Sequence, residues 1–292
     1  MNKKFPILYS RTSKGQVQQW QIFVEDDKFW TEEGIKNGQL TISKPTACAA
    51  KNIGKANETS PEEQVQLEAT AKNKKKIEAG YCENIKDIDT AKFIEPMLCK
   101  KYADYSEEIQ FPVYCQRKYD GMRCIVKKDG MFSRNGKPII SSPHIFRSLK
   151  QFVDVGIIFD GELYNDSLKQ DFNKIMSLVK QTKPTTEDIQ NSERLVEYHI
   201  YDQVCEGNFS IRYASLNLLK DSWPSCIKLA ETFLAKNQEE LDEYYAQFLG
   251  EGMEGQIIRL DDPYQHKRTK SILKRKEFSD EEFKLLDLQP GK

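Results

Sequence analysis

After Phe93 the apolar residues fall into short runs broken by turns, alternating with longer stretches whose apolar positions repeat at helical spacing. Neither an all-helical nor an all-strand architecture accommodates that alternation. Val113–Cys115, Arg123–Lys127, Ile157–Phe159, Val196–Tyr201 and Gln256–Leu260 are short and rich in β-branched and aromatic residues, which predicts strands. Phe172, Ile175, Met176 and Val179 form one helical stripe and Leu241, Tyr244, Tyr245 and Phe248 another; both are expected to face a core. Strands interleaved with helices predict an α+β domain around antiparallel sheets. Glu162 follows the apolar Ile157–Phe159 run and is expected to emerge at a strand end.

Residues 1–88 read as a separate, smaller α+β module. Ile7–Ser10 and Val17–Val24, joined by the turn-rich Thr12-Ser13-Lys14-Gly15, predict a hairpin. Asn37-Gly38, a strong turn dipeptide, precedes a further strand at Leu40–Ile42. A helix starts after Ser60: Ser60 suits the N-cap, Pro61 the first helical position, and Glu63 closes a capping box. Lys72, Lys74, Lys75 and Lys76 sit at the negative end of its dipole, and Gly80 stops it. That lysine run is read first as a helix-end feature rather than a DNA contact. Polar sequence around Asn84–Asp89 leads into a second domain, 89–292.

Lys+Arg 44 against Asp+Glu 45 leaves a net charge of −1, so any nucleic-acid affinity must come from local clusters. No apolar run approaches the ~20 residues of a membrane span, and the N-terminus lacks the apolar segment of a secretory signal. Seven scattered cysteines without a C-x-x-C pair fit reduced thiols in a cytoplasmic protein and argue against disulfides or zinc. His144, His199 and His266 are isolated from one another and are expected in core or surface positions.

The chemistry-bearing residues gather in a few segments. Lys118-Tyr119-Asp120-Gly121-Met122-Arg123 supplies a lysine, a carboxylate, a glycine and an arginine. A lysine attacks phosphorus only as the free amine, a form that neighbouring cations such as Arg123 favour. Gly121 permits close backbone approach to a ligand. Ser133-Arg134-Asn135-Gly136 is a turn that can present Arg134 to a sugar or phosphate. Asp160-Gly161-Glu162-Leu163, Tyr198-His199-Ile200-Tyr201-Asp202 and Glu254-Gly255-Gln256-Ile257-Ile258-Arg259 add carboxylates and aromatic faces. In an extended Lys274-Arg275-Lys276 the two lysines point to one face. Singly, each segment has an ordinary reading as a hairpin turn, a solvated strand end, a core aromatic or a charged sheet edge.

In this order (K-x-D-G, R-N-G, D-G-E, aromatic-Asp, E-G-x-I-x-R, K-x-K) the chain resembles the covalent nucleotidyltransferases, most closely the ATP-dependent polynucleotide ligases. The match runs from about Pro96 to Lys276. Asp262-Pro263-Tyr264 through Lys276, with Phe111-Pro112-Val113 and Pro96-Met97-Leu98, is similar to DNA ligases rather than RNA ligases or GTP-using capping enzymes. The resemblance implies an α+β nucleotidyltransferase (ATP-grasp-like) adenylation domain. It also implies ATP as cofactor and Lys118 as the nucleophile. The expected sequence is lysyl-AMP formation, AMP transfer to the 5′-phosphate of nicked duplex DNA, and sealing by the 3′-hydroxyl.

Further roles follow from the same resemblance. Gln116 would read the adenine edge and Tyr201 would stack on adenine, with Tyr198 as fallback. Arg123 and Arg134 would contact ATP phosphates, ribose or the nicked strand. Glu162 would serve ribose and metal, Glu254 the metal, and Lys274 and Lys276 the α-phosphate. Mg²⁺ suits such carboxylates better than zinc. Lys267, Arg268 and Lys270, in the basic run before the last motif, are expected phosphate contacts. The alternatives are an RNA ligase and a DNA-binding scaffold whose nucleotidyltransferase fold does not turn over.

DNA ligases usually continue from K-x-K into an OB-fold. About sixteen residues follow Lys276, too few for a barrel. The expectation is therefore a fragment or natural truncation, acting as a monomer, with the barrel supplied elsewhere. Gln18-Gln19-Trp20-Gln21-Ile22 and Gly54-Lys55-Ala56-Asn57-Glu58-Thr59 distantly resemble WGR-type modules of DNA-end-binding proteins, without the Gly-Arg that follows their tryptophan. Trp20, Lys51 and Lys55 are the candidate DNA contacts there, with a β-sheet core the stronger expectation for Trp20.

Overall fold

The computed structural model describes residues 3–12, 14–89 and 93–276. The chain divides into two compact units, Met1–Lys92 and Phe93–Lys292.

In the first unit, strands β1 (Lys3–Lys4), β2 (Leu8–Arg11), β3 (Val17–Glu25), β4 (Lys28–Ile35), β5 (Leu40–Ile42) and β6 (Thr46–Ala47) form one antiparallel sheet. Helix α1 (Pro61–Glu78) covers it. Ser60 Oγ accepts from the Glu63 N–H while the Glu63 carboxylate accepts from the Ser60 N–H, so two donors orphaned at the helix start are satisfied. Such a cap is worth about 1 kcal/mol. Val65 and Ala69 then pack on Leu8, Trp20, Ile22, Val24 and Phe29.

Strand β4 is absent from the sequence expectations. Its centre, Thr31-Glu32-Glu33-Gly34, is too polar to read as a strand, yet it pairs with β3 along its whole length. Trp20 is a core residue with 4% exposure, so the sheet-core expectation holds and contact with a ligand through its face does not. Lys51 pairs with Glu68 at 2.9 Å, while Lys55 lies in the turn that Asn52 opens.

The second unit contains two five-stranded sheets. One runs β14 (Thr232–Ala235), β8 (Val113–Lys118), β15 (Gly255–Arg259), β16 (Arg268–Lys276) and β7 (Leu98–Lys101). The other runs β10 (Gly130–Ser133), β9 (Met122–Lys127), β11 (Phe159–Tyr164), β12 (Glu197–Gln203) and β13 (Ile227–Leu229). The pairs β7–β16 and β12–β13 are parallel and the rest antiparallel, giving a mixed α+β domain.

Helix α6 (Gln238–Gly250) packs on the first sheet through Leu241 and Phe248, which meet Val113, Cys115, Ile258 and Leu273. Against the second sheet lie α2 (Pro143–Asp154), α3 (Phe172–Val179) and α5 (Phe209–Leu219), while α4 (Thr186–Leu195) packs on α2 and α3. Their core contains Ile145, Leu149, Leu178, Val179 and Leu216. One member of the expected α3 stripe is corrected. Phe172 is 39% exposed because it opens the helix, before the turns that face the sheet.

Tyr119-Asp120-Gly121 joins β8 of one sheet to β9 of the other, so the lysine motif sits where the chain crosses between them. Gly121 is required there by the protein itself. A Cβ on it would lie 2.3 Å from the Leu163 carbonyl oxygen of β11, so the close approach expected toward a ligand is in fact toward a neighbouring strand.

Candidate active site

Period-two alternation selects which side chains reach the space between the sheets. On β8, Cys115 packs toward α6 and the Arg117 guanidinium lies 5.1 Å from the Phe248 ring, while Gln116 and Lys118 point the other way. On β15, Ile258 joins the α6 core and Ile257 and Arg259 face the cavity. On β16, Leu273 and Arg275 turn toward α6, Tyr245 and Tyr102; Ile272, on the opposite side of the strand, lines the cavity, while Lys274 and Lys276 share its side without being among the lining residues.

The second sheet contributes through an irregularity. Between β11 and β12 the register shifts at Asp160/Gly161, so Tyr201 has no residue directly opposite it. A bulge re-aims neighbouring side chains. Here it lets two consecutive residues serve one region: Tyr201 lines the cavity, and Asp202 is buried behind it against Arg259.

The result is a cavity of about 140 Å³ lined by Gln116, Lys118, Arg123, Glu162, Tyr201 and Arg259, among others. A second cavity of about 600 Å³ is lined by Arg134, Lys137 and Lys180, and shares Arg123 and Glu162 with the first. Those two side chains therefore stand at the junction. Lys118 Nζ donates to Glu254 Oε2, and Lys276 Nζ donates to Glu254 Oε1 at 2.9 Å. Burial pushes the Glu254 carboxyl upward, but the two lysine hydrogen bonds outweigh it and hold it below its ordinary value. Burial and then Glu254 itself raise Asp120. Lys274, Lys118, Arg123 and Arg259 all pull against burial at the Cys99 thiol, which also lines the small cavity, yet burial wins and the thiol is raised.

Arg123 is fixed by Asp160, which accepts from its Nε at 2.9 Å and from its Nη2 at 2.5 Å, and Tyr264 Oη donates to the same carboxylate at 2.7 Å. Glu162 is treated differently. Its hydrogen bond is a long one from Tyr201 Oη, 3.4 Å, and among the described residues no ion-pair partner holds it. Burial pushes its carboxyl up to about 8, against the opposing charges of Arg123 and Lys118. It lies mid-strand in β11, not at the strand end expected from sequence, because pairing continues through Leu163 with β9 and through Tyr164 with β12.

A group with a raised folded pKa loses stability as pH rises from its unfolded value toward its folded one, since the unfolded chain releases its proton first. For Glu162 that window runs from 4.5 to about 8. Glu162→Gln has no proton to lose, so it should match the natural chain near pH 4 and exceed its melting temperature by roughly 10 °C at pH 8. A melting difference independent of pH would remove the buried, proton-holding carboxyl from this account.

Some expected site residues are not brought to the cavities. Tyr198 is fully buried with its hydroxyl on the Cys124 carbonyl oxygen, so it is not a fallback for stacking. A Cβ at Gly161 would lie 2.8 Å from its ring, which shows how closely the tyrosine is packed. Arg268 donates to the Cys99 carbonyl and Lys270 pairs with Glu108 at 2.6 Å, so these two cations already have protein partners. Lys267 binds through its backbone, to Gln265 and Leu98.

Three participants have no assigned role in the sequence reading: Arg259, Thr232 and Tyr264. Arg259 had a legible signal, being two positions after Ile257 in a strand. Tyr264 lay in the ligase-like Asp262-Pro263-Tyr264 stretch but without a role, and Thr232 had no signal, since strand pairing places it.

Among the described residues, no three His, Cys, Asp or Glu side chains converge as a metal cluster. Glu254 is occupied by two ammonium groups, while Glu162 has no cation partner among the described residues. Such a donor set fits Mg²⁺, which needs only one or two carboxylates when phosphate and water complete its shell.

A family model gives this arrangement its context. Residues 96–276 match the ATP dependent DNA ligase domain. The chain belongs to that family. Its second unit is the adenylation domain of an ATP-dependent DNA ligase, and the enzyme class is a ligase that binds ATP. The DNA ligase of African swine fever virus is 26% identical over 330 residues, covering 99% of this chain and 76% of its own. In structure, a Lig E DNA ligase superposes with a TM-score of 0.53 at 21% identity, covering 63% of this chain and 69% of that one. Chlorella virus DNA ligase-adenylate gives 0.50 at 24%, covering 63% and 68%. Those two likenesses establish a shared ligase fold.

Proposed function

We propose that this ligase uses Lys118 as its AMP acceptor and seals nicked duplex DNA. The observation that supports it most is that Glu254 gathers Lys118 and Lys276 beside a cavity bounded by Gln116, Tyr201 and Glu162. Lys118 Nζ, once deprotonated, attacks the α-phosphorus of ATP. A P–N bond forms as the bond to the β-phosphate oxygen breaks, and pyrophosphate leaves. Attack at phosphorus demands positioning and charge neutralisation more than covalent help. Lys276 and Lys274 supply positive charge on the face of the nucleophile.

Tyr201 offers its ring to the adenine, and Arg123 and Arg134 stand where phosphates of ATP or of the nicked strand would pass between the two cavities. Glu162 and Glu254 are the residues that would hold Mg²⁺, which when bound would offset phosphate charge. Lys267 remains a candidate for strand contact. Arg268 and Lys270 could join it only by leaving their present partners.

The test is nick sealing with a 5′-phosphorylated duplex in the presence of ATP and Mg²⁺. The expected result is an ATP-dependent full-length strand from DNA nicks, with little from RNA nicks. Equal or better sealing of RNA would favour the RNA ligase reading. Neither product nor adenylated 5′ end on any nick would leave a non-turning-over DNA-binding protein.

The first unit is proposed to help hold the duplex, as its distant WGR-like segments suggest, with Lys51 and Lys55 as contacts. Deleting residues 1–88 should weaken nick binding and flatten its salt dependence, since lost phosphate contacts reduce the salt slope by about one per cation. An unchanged slope and affinity would end that role.

A further inference from the structure

We propose that Arg259 and Thr232 lock the Gln116 side chain in one orientation, and that this lock makes the site select 6-amino over 6-oxo purine nucleotides. The inference rests on the reading of the small cavity as the nucleotide site and deepens it.

Gln116 is 1% exposed at the cavity wall, and every polar contact of its amide has a fixed direction. Its Oε1 faces Arg259 Nε at 2.8 Å. A guanidinium only donates, so the atom opposite it must be the oxygen. Its Nε2 faces the Tyr201 carbonyl oxygen at 3.2 Å, which only accepts, so the atom there must be the nitrogen. Nε2 also donates to Thr232 Oγ1 at 2.8 Å. The Thr232 hydroxyl proton is directed to the Ala230 carbonyl oxygen at 3.3 Å, leaving Oγ1 as an acceptor for Gln116. An obligate donor and two acceptors thus settle the amide orientation.

Arg259 is itself held. Its Nη1 donates to Asp202 Oδ2 at 2.7 Å, and its guanidinium lies 4.8 Å from the Phe209 ring centroid and 5.4 Å from that of Tyr201. Asp202 is anchored from behind by Arg212 Nε and Nη2, at 2.8 and 3.1 Å. Arg212 Nη1 in turn donates to the carbonyls of Gly207 and Asp262. The chain of contacts from these loops to Gln116 leaves the amide no freedom to turn over.

Both N–H groups of Gln116 are committed, and one of the two Oε1 lone pairs is taken. The remaining valence is one lone pair, an acceptor. It can receive a hydrogen bond from a 6-amino group. A 6-oxo group would face it acceptor to acceptor, leaving two polar atoms unpaired in a buried site, which costs about 1–3 kcal/mol. Glutamine often discriminates poorly because it can offer either end. Here Arg259 removes that ambiguity.

The probes are ATP and ITP labelled at the α-phosphate, which differ at the purine 6-position, with covalent labelling of the full chain as readout. The natural chain should favour ATP by about 10²-fold in labelling efficiency. Arg259→Met leaves Asp202 paired with Arg212, so no buried carboxylate is orphaned. It should cut the ATP/ITP ratio about tenfold, and Arg259→Lys, which still donates, should restore most of it. Thr232→Val, nearly isosteric, should lower the ratio about threefold and keeps the test open if the arginine variant does not fold.

A merely structural role would slow both nucleotides equally, and unchanged ratios in the folded variants would overturn the lock. Absence of label from either nucleotide in the natural chain would instead overturn the nucleotide-site reading, and the lock with it.

Discussion

Lys118→Arg should take no label from α-phosphate-labelled ATP under conditions that label the natural chain to completion. The substitution keeps a cation beside Glu254, so the local charge and the pairing survive. A guanidinium stays protonated and cannot act as a nucleophile at phosphorus. Loss of a nucleophile costs about 10⁴-fold or more, which places the label at background. Lys276→Ala is the informative companion. It removes the other ammonium on Glu254 but leaves the attacking atom, so labelling should slow without disappearing. Denaturing electrophoresis reads both. Label persisting on Lys118→Arg would move the nucleophile elsewhere, and loss in both variants with altered circular dichroism would point to unfolding.

Asp202→Ala should be the most destabilising single change near the site, by about 3–5 kcal/mol. Asp202 is fully buried and accepts from two arginines that are themselves 1% and 3% exposed. Removing the carboxylate leaves two buried guanidinium groups without their counter-ion, and it is this desolvated charge that costs energy. In a unit of this size the loss should lower the melting temperature by about 10 °C. Asp154→Ala breaks the Lys150–Asp154 pair on the surface of α2, where both partners are about half exposed, and should change stability by no more than about 0.5 kcal/mol. If the two variants melted alike, the buried network would not be a structural element, and the argument that Arg259 is rigidly held would weaken with it.

The motif reading and the structure agree most closely where the chain is extended and the signal is local. Lys118, Gln116, Lys274 and Lys276 fall on one side of their strands because alternation is a property of the strand alone. The capped helix α1 was legible for the same reason, since Ser60, Pro61 and Glu63 act within one turn. Strand β4 was not legible. Glu32 and Glu33 fall on opposite faces of the sheet, Glu33 meeting Lys76 of α1, and pairing with β3 rather than apolar content makes the segment a strand. Glu162 was placed at the wrong point of its strand because the apolar run that signals β11 ends before the hydrogen-bonded ladder does. The basic run Lys267–Lys270 read as a phosphate surface, but only the fold supplies Glu108 and the Cys99 carbonyl that engage two of its cations.

By itself the sequence determined which residue types stand in which order, and so the ligase family, the chemistry each segment can carry and the alternation that turns side chains inward. Tertiary structure decided which of those side chains meet. Glu254 joins Lys118 and Lys276 across more than a hundred residues, and a register shift in β12 turns Tyr201 to the cavity and Asp202 to Arg259. Local preferences act over a few residues, whereas a hydrogen bond between strands far apart in the chain exists only once the sheets have closed. The orientation of Gln116 is of this second kind. Its side chain can present either end in any sequence, and only the fold places an obligate donor against one end and an obligate acceptor, the Tyr201 carbonyl, against the other.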